Sequence, residues 1–397
     1  RGAWNPQTTV LLPRAGIAIR LNDRTALRIG YARYAVASDS STDIVDVLGS
    51  TPYPGFDQTT NPLPILEGKP QAFLADPYPA GRNPLIPPVG KSLGRYTALG
   101  SDAVFFEQNW RNETNDRLNV SFQRQTVSQI VLDVTYFANF GHNAPQDLNL
   151  NLLDPRLSYQ HRTLLNPSVD NPFYRILTPQ KFPGQLRNAQ RVSVGSLLVP
   201  YPQYGSLTMR GVPMRNTRYH ALQISAQRPF ANGFNLLFGL NYNRGRAEEF
   251  YDGVDHIDRR LNYQTTNNIL PRRKVTGAAI YQFPFGRGRR FMRQANPVIE
   301  GVMGGWTASG IFEYYSGVFL RFGGYEVTGD PRLDNPSRQA RFNTSAFRTL
   351  PAFTRRANPI WYEGVTGPSF RNIDMTLSKD FRVTERIGFE LRLEAYN

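Results

Sequence analysis

Cysteine is missing from all 397 residues, which excludes a disulfide scaffold, a thiolate metal site and a cysteine nucleophile. Histidine is scarce: His142, His161, His220 and His256 are scattered, with no second ligand at metal spacing. No stretch approaches the roughly 20 apolar residues that a membrane-crossing helix needs, so any membrane role falls to strands. Charge is sparse at 19% of residues, and lysine sparser still: the 46 basic residues are 41 Arg and 5 Lys. Gly90-Lys91-Ser92 has Leu85 where a phosphate-cradling loop needs its first glycine, and no G-x-S-x-G elbow occurs, so neither a nucleotide cradle nor a hydrolase nucleophile is expected. An enzyme is not expected, nor a cofactor.

Glycine (33), proline (30), phenylalanine (25) and tyrosine (20) are plentiful, a polar but aromatic composition unlike that of disordered chains. The net charge of +15 is spread along the chain. Residues 38–110 hold eight acids against four bases, and residues 142–215 hold eight bases against three acids. The only dense basic run is Gly286-Arg287-Gly288-Arg289-Arg290-Phe291-Met292-Arg293. A nucleic-acid binder gathers its charge on one module with interleaved aromatics, so nucleic acid is not an expected partner.

Period-2 alternation marks the strands. Leu118, Val120 and Phe122 alternate with Asn119, Ser121 and Gln123; after a short turn, Ile130, Leu132, Val134 and Tyr136 alternate with Val131, Asp133 and Thr135. Leu222, Ile224 and Ala226 turn at Phe230-Ala231-Asn232-Gly233 into Phe234, Leu236, Phe238, Leu240 and Tyr242. Ile373, Met375 and Leu377 lead into Ile387, Phe389, Leu391 and Leu393. Weaker alternation covers 14–21, 25–35, 273–284 and 302–316, giving ten strands of about 8–14 residues, near the 9–11 of a tilted bilayer-spanning strand.

The connections alternate in length. Short ones fall at 22–24, 127–129, 230–233 and 383–385, a moderate one at 286–301, and long ones at about 37–113, 142–216, 247–272 and 317–369. Nineteen of the 30 prolines lie in 38–110 and 142–215, while strand interiors are almost free of them. Short turns on one side and long loops on the other are the habit of outer-membrane barrels. In lipid every backbone polar group must be paired, so spanning strands close on themselves. The expected fold is all-β: an antiparallel transmembrane β-barrel fragment of about ten meandering strands, with short periplasmic turns and long extracellular loops. A soluble sandwich or propeller alternates for the same geometric reason.

On this reading Tyr34, Tyr136, Tyr242, Tyr281, Trp306 and Tyr314 are aromatic-girdle candidates. Arg20, Arg28, Asp133, Glu313, Asp374, Glu390, Arg392 and Glu394 are polar candidates for the lumen face, lining a solute path, contacting a plug or simply pairing across strands. Asp252, Asp255 and Asp258, like Asp39, Asp43 and Asp46, read as solvated acidic loops, because the calcium-loop order is absent. Ligand contact is expected in the Tyr- and Pro-rich loops at 51–90 and 197–215.

Several stretches resemble the Oar-like TonB-dependent outer-membrane receptors. Gly367-Pro368 through Asn372-Ile373-Asp374, then Phe389-Glu390-Leu391-Arg392-Leu393-Glu394-Ala395-Tyr396-Asn397, resemble that family's late "G-P-x-x-x-N-I-D" and "F-R-x-E-x-F-N" strands. Gly305-Trp306-Thr307-Ala308-Ser309-Gly310-Ile311-Phe312 with Ser316-Gly317 is similar to its "G-W-x-x-S-G-I-F…S-G" strand, and Tyr281-Gln282-Phe283-Pro284-Phe285-Gly286-Arg287-Gly288-Arg289 to its "Y-x-x-P-F-G-x-G-R" hairpin. Tyr219-His220-Ala221-Leu222-Gln223 and Pro13-Arg14-Ala15-Gly16 fit two further strand starts. The resemblance implies a barrel of about 22 strands, of which these would be about the twelfth to the twenty-first.

It further implies uptake of a bulky, scarce solute, coupling to the TonB complex through a plug, and a setting of outer-membrane lipid and lipopolysaccharide. The chain has no plug, no TonB box and no terminal aromatic strand, opens at Arg1 and stops in mid-pattern at Asn397, so a single partial barrel domain is expected over 1–397. Two alternatives stay open: an adhesion or secretion-linked outer-membrane barrel without active import, and a soluble Arg-rich β protein that binds acidic polysaccharide.

Overall fold

The computed structural model describes residues 5, 7–36, 60, 70, 73–85, 87–179, 181–182, 184–266, 271–382 and 386–397. Ten strands follow one another in a meander: β1 (Arg14–Asn22), β2 (Thr25–Ala35), β3 (Thr114–Gln125), β4 (Val131–Asn149), β5 (Leu207–Ala231), β6 (Phe234–Glu249), β7 (Arg273–Gln282), β8 (Trp306–Tyr315), β9 (Phe370–Arg382) and β10 (Gly388–Ala395). Each pairs antiparallel with its neighbours in chain order, from β1 at one edge to β10 at the other. Two short strands join this sheet, Asn262–Thr265 antiparallel on β6 and Ala103–Phe106 parallel on β5. β1 and β10 do not pair with each other, so the sheet is an open wall.

Turn chemistry sets the short links. Between β5 and β6, Asn232 (φ 52°) and Gly233 (φ 78°) both adopt the left-handed region that a two-residue hairpin requires. The turn after β1 is fixed by Asn22, whose side-chain oxygen accepts from the Arg24 amide at 3.0 Å. The longest connection on this side carries a short helix, Pro297–Met303, capped by Asn296 and opened by proline. The strand expected over 302–316 therefore starts at Trp306: residues 302–303 end the helix, and Gly305 (φ 73°) makes the turn where a Cβ would sit 2.6 Å from the Asp380 carbonyl.

On the opposite side the wall reaches further than alternation indicates. β4 and β5 stay paired beyond Gly141 and Thr217 to Asn149 and Thr208, through several register shifts, with Pro145 opposite Pro213. Bulges break the period of two without ending the ladder. β6 likewise continues to Glu249. The loop stretch 51–90 lies mostly, and Asp39, Asp43, Asp46 and the turn 383–385 wholly, outside the described residues.

Burial is inverted relative to a soluble sandwich. Fully or nearly fully buried large side chains, Leu148, Phe182 and Val365, sit beyond the membrane-length part of the wall and in its long loops. The wall's own large apolar residues, such as Ile17, Met375, Leu391 and Leu393, are half exposed. A soluble fold does not leave such a face uncovered.

Candidate functional site

Pairing register assigns every wall residue to a face, because directly opposed residues share one. One inner row runs Arg28, Ser121, Thr135, Gln223, Asn241, Lys274. The next runs Gln123, Asp133, Ser225, Gly239, Thr276, Glu313, Asn372. Arg20, Arg28, Asp133, Glu313, Asp374, Glu390, Arg392 and Glu394 all lie on this polar face. Their charges are largely met at short range: Arg20 pairs with Asp23 at 2.6 Å, Arg28 donates to Gln123 at 2.9 Å, and Asp133 accepts from Thr135 at 2.6 Å and Ser121 at 3.1 Å. Arg392 lies between Glu390 (3.0 Å) and Glu394 (3.6 Å). An open groove of about 270 Å³ on this face is lined by Asp133, Thr135, Gln223, Ser225, Asn241 and Lys274, among others. The last does not stand out in the sequence pattern, although it is one of only five lysines.

The other face is apolar over a band with two polar limits. Across β3 it is Leu118, Val120 and Phe122 between Asp116 and Arg124; across β5, Leu222, Ile224 and Ala226 between His220 and Arg228; across β9, Ile373, Met375 and Leu377 between Arg371 and Lys379. The limits stand eight positions apart each time, about 27 Å along a strand.

These limits are not level with the strands' own rungs. Following the rungs from β2 to β9, the limit on the long-loop side moves from between Tyr31 and Arg33 to between Ile373 and Arg371, a drift of six residues over seven strand spacings. That is about 20 Å along the strands over about 34 Å across them, an incline of about 30°. Strands that cross a membrane in a barrel tilt by about 35–45°. Corrected for the incline, the band is about 23 Å tall, close to the roughly 25 Å of an outer-membrane wall.

Tyr136, Tyr242, Tyr281, Trp306 and Tyr314 lie on the apolar face. Tyr34 does not: it shares the polar face with Arg28, where Arg14 (4.9 Å) and Arg117 (4.7 Å) stack on its ring. Parity of numbering along β2 decides this, since Tyr31 rather than Tyr34 is in phase with Ile29 and Leu27.

The family model for the outer membrane beta barrel domain matches residues 1–397. The chain belongs to this family. It is a wall in the outer membrane of a Gram-negative bacterium, and the strand and loop arrangement above is that of a barrel wall. No curated protein matches it. Among solved structures it is similar to the ferripyoverdine receptor of Pseudomonas aeruginosa (8% identity, TM-score 0.37, covering 96% of this chain and 28% of the receptor). The FrpB iron transporter from Neisseria meningitidis (10%, 0.36, 93% and 32%) and the outer membrane transporter YddB from Escherichia coli (8%, 0.37, 92% and 33%) are further such structures. The chain spans about a third of the length of each of them.

Beyond the band, the barrel wall carries structured loops on its long-loop side. Glu363, in the β8–β9 loop, gathers three arginines of the wall's extension: Arg244 (2.7 Å), Arg246 (3.1 Å) and Arg272 (3.4 Å). Burial alone would raise its carboxyl, but hydrogen bonds from Arg244 and Arg246 and the charge of Arg272 hold it down at about 2. The acids expected as a solvated loop have guanidinium or phenol partners, and Asp255 is buried rather than solvated. Asp255 is buried against Arg355 at 2.5 Å, Asp258 holds Arg260 at 2.7 Å, and Asp252 accepts from Tyr159 at 2.7 Å.

In the β4–β5 loop, buried Asn151 donates to the Tyr201 and Gly205 carbonyls (2.9 and 2.6 Å) and accepts from the Tyr201 amide (2.8 Å). Its clamp holds 201–205 next to the start of β5; of the stretch 197–215 expected as loop, residues 207–215 are strand. The β8–β9 loop is stapled by Phe322, Phe342, Phe347 and Tyr362, whose rings meet around Phe322 at 4.2–6.2 Å. Glu363 and Asn151 do not stand out in the sequence, because their partners lie 50 to 119 positions away.

Proposed function

We propose that this wall belongs to an energised receptor, an Oar-like, TonB-dependent outer-membrane barrel that takes up a bulky, scarce solute. In this reading residues 1–397 are one partial barrel domain, completed by strands and a plug outside the chain. The observation that carries it is the open wall. Ten consecutive strands present a tilted apolar band outward and a polar face inward, while the outer edges of β1 and β10 have no partner among the described residues. Bare edges are untenable in lipid, so the ring must close; in this reading further strands close it, and barrels well above ten strands enclose a channel or a plugged lumen. The motif order from Pro13 to Asn397 supports the receptor assignment within that class.

The polar face then supplies the lumen: Arg20, Arg28, Asp133, Glu313, Asp374, Glu390, Arg392 and Glu394 hydrate a solute path or bond to the plug. Tyr136, Tyr242, Tyr281, Trp306 and Tyr314 anchor the wall at the lipid boundaries, and the structured long loops meet the solute first. The parent protein, purified from outer membranes, is tested against the isolated periplasmic domain of TonB by pull-down, and a deletion strain is tested for growth on limiting nutrients. Binding together with a growth defect relieved by the intact gene supports import. A parent that never binds the TonB domain, with growth unchanged, moves the function to adhesion or secretion.

A further inference from the structure

The links on the short-turn side are two to five residues long with one exception: residues 283–305, between β7 and β8, fold into a unit of their own. It opens with a hairpin bridged between Phe285 and Phe291, whose rings are 5.7 Å apart, and closes with the helix Pro297–Met303. Glu300 ties the two together by accepting from the Arg287 amide at 2.6 Å, and the Arg287 guanidinium donates to the Ala295 carbonyl at 2.9 Å. With Glu300 drawn to the hairpin, the helix gathers Val298, Ile299, Val302 and Met303 within about 140° of its opposite side. All four are exposed, Val298 by 75% and Val302 by 61%, as are Phe291 and Met292 on the hairpin. An apolar cluster of this kind is not left to water.

Two outward-pointing side chains at the foot of the apolar band hold the end of this helix. Trp306 and Lys379 are directly opposed across β8 and β9, on the face that carries Met375 and Leu377. The Trp306 indole donates to the Val302 carbonyl at 2.9 Å. The Lys379 ammonium, buried near the rings of Trp306 and Phe381, donates to the Gly304 carbonyl. The C-terminal end of the helix is therefore on the lipid side of the wall, at the short-turn limit of the band. Short turns of an outer-membrane barrel face the periplasm, which puts this end at the level of the inner-leaflet headgroups. A helix lying at that level buries its apolar side about 5–10 Å into the boundary between headgroups and acyl chains.

We propose that residues 284–303 are an interfacial foot that lays Val298, Ile299, Val302 and Met303 into the inner, phospholipid leaflet. Continuity with the band decides the occupant. The stripe adjoins side chains that already face hydrocarbon, whereas a periplasmic protein would have to wedge between the wall and the leaflet. The contact is apolar, so it needs no particular headgroup. The foot requires only the barrel wall with its short turns inward, and it is independent of import.

In a cysteine-free parent protein, Val302→Cys, Gly301→Cys and Leu377→Cys are labelled singly with an environment-sensitive fluorophore. Each is placed in nanodiscs of phosphatidylethanolamine and phosphatidylglycerol, which leave both membrane faces open to solvent. Quenching by a lipid spin-labelled near the top of its acyl chain is compared with quenching by aqueous iodide. Leu377 lies in the band and reports lipid; Gly301, where an added Cβ meets nothing within 4 Å, lies off the stripe on the same helix. The lipid is expected to quench the Val302 label about threefold more than the Gly301 label, with iodide in the reverse order. Replacing phosphatidylglycerol by phosphatidylcholine is expected to change neither. Val298→Asp with Val302→Asp is expected to leave the barrel heat-modifiable on gels and to raise tryptic cleavage after Arg289, Arg290 and Arg293 about tenfold.

Equal lipid quenching of the Val302 and Gly301 labels overturns the proposal. So does a Val302 label that neither quencher reaches, since a protein would then cover the stripe. Cleavage that the two aspartates leave unchanged in a folded barrel overturns it as well, and so does lipid contact that vanishes without phosphatidylglycerol. A Leu377 label that the lipid fails to quench sinks the wall itself, a separate failure.

Discussion

At the residue scale, Glu363 carries the most concentrated electrostatic duty in the described loops. One carboxylate neutralises part of three guanidinium groups, and it is itself only about a third exposed. Its carboxyl titrates near 4.5 in an unfolded chain and at about 2 here, so the stabilisation is complete above 4.5 and is lost as pH falls toward 2. Glu363→Gln is expected to raise local opening of the β8–β9 loop by about 2 kcal/mol at neutral pH, with little further change in acid. Amide exchange across 316–369 reads this directly; a variant whose exchange keeps the wild-type acid sensitivity would show that another group holds the loop. Asn151→Ala is a matched case without charge. Losing a buried amide that serves four backbone groups is expected to cost about 2–3 kcal/mol locally and to free 197–206 for proteolysis, leaving the β3–β4 and β5–β6 hairpins untouched. Neither residue is visible in the sequence, since nothing local marks an acid or an amide whose partners come from another loop.

At the scale of the element, the strands are legible because two solvents act on the two faces of one ribbon. Leu222, Ile224 and Ala226 meet hydrocarbon while Gln223, Ser225 and Gln227 meet the lumen, so the alternation survives wherever the strand is regular. It fades where the chain leaves the bilayer. Pro145 and Pro213 face each other in a bulged ladder that water can hydrate on both faces, so no pattern is required there and none exists. The helix before Trp306 is hidden similarly, its seven residues too few to show a period against the aromatic run that follows. Face assignment yields a sharp comparison between neighbours. Ile224→Arg places a charge near the middle of the lipid band and is expected to destabilise insertion by about 2–4 kcal/mol, whereas Gln223→Arg, one position away, points into the lumen and is expected to cost far less. Folded yield in outer membranes, scored by heat-modifiability, separates the two. Equal damage from both would mean that the faces are misassigned.

At the scale of the whole molecule, the incline of the apolar band reveals something no single strand contains. Tilt is encoded in the offset between neighbouring strands, with Arg33, Arg273 and Arg371 marking successive steps of one level line. That incline fixes how a closed ring must be staggered, and it makes closure of these ten strands on themselves a testable alternative to a larger barrel. A disulfide requires Cα atoms within about 7 Å, and the chain has no native cysteine to interfere. Cysteines placed along β1 at Ala15, Ile17 and Ile19 are each combined with Leu391→Cys on β10 in the parent protein. Ser378→Cys with Arg392→Cys, directly opposed across β9 and β10, serves as the positive control. In a larger barrel the control pair oxidises readily, while no β1 cysteine reaches β10 because other strands stand between them. Efficient bonding of any β1 position to the cysteine introduced on β10 would mean that the ten strands close alone. The lumen would then be too narrow for a plug, and an energised importer would give way to a small barrel whose function lies in its loops.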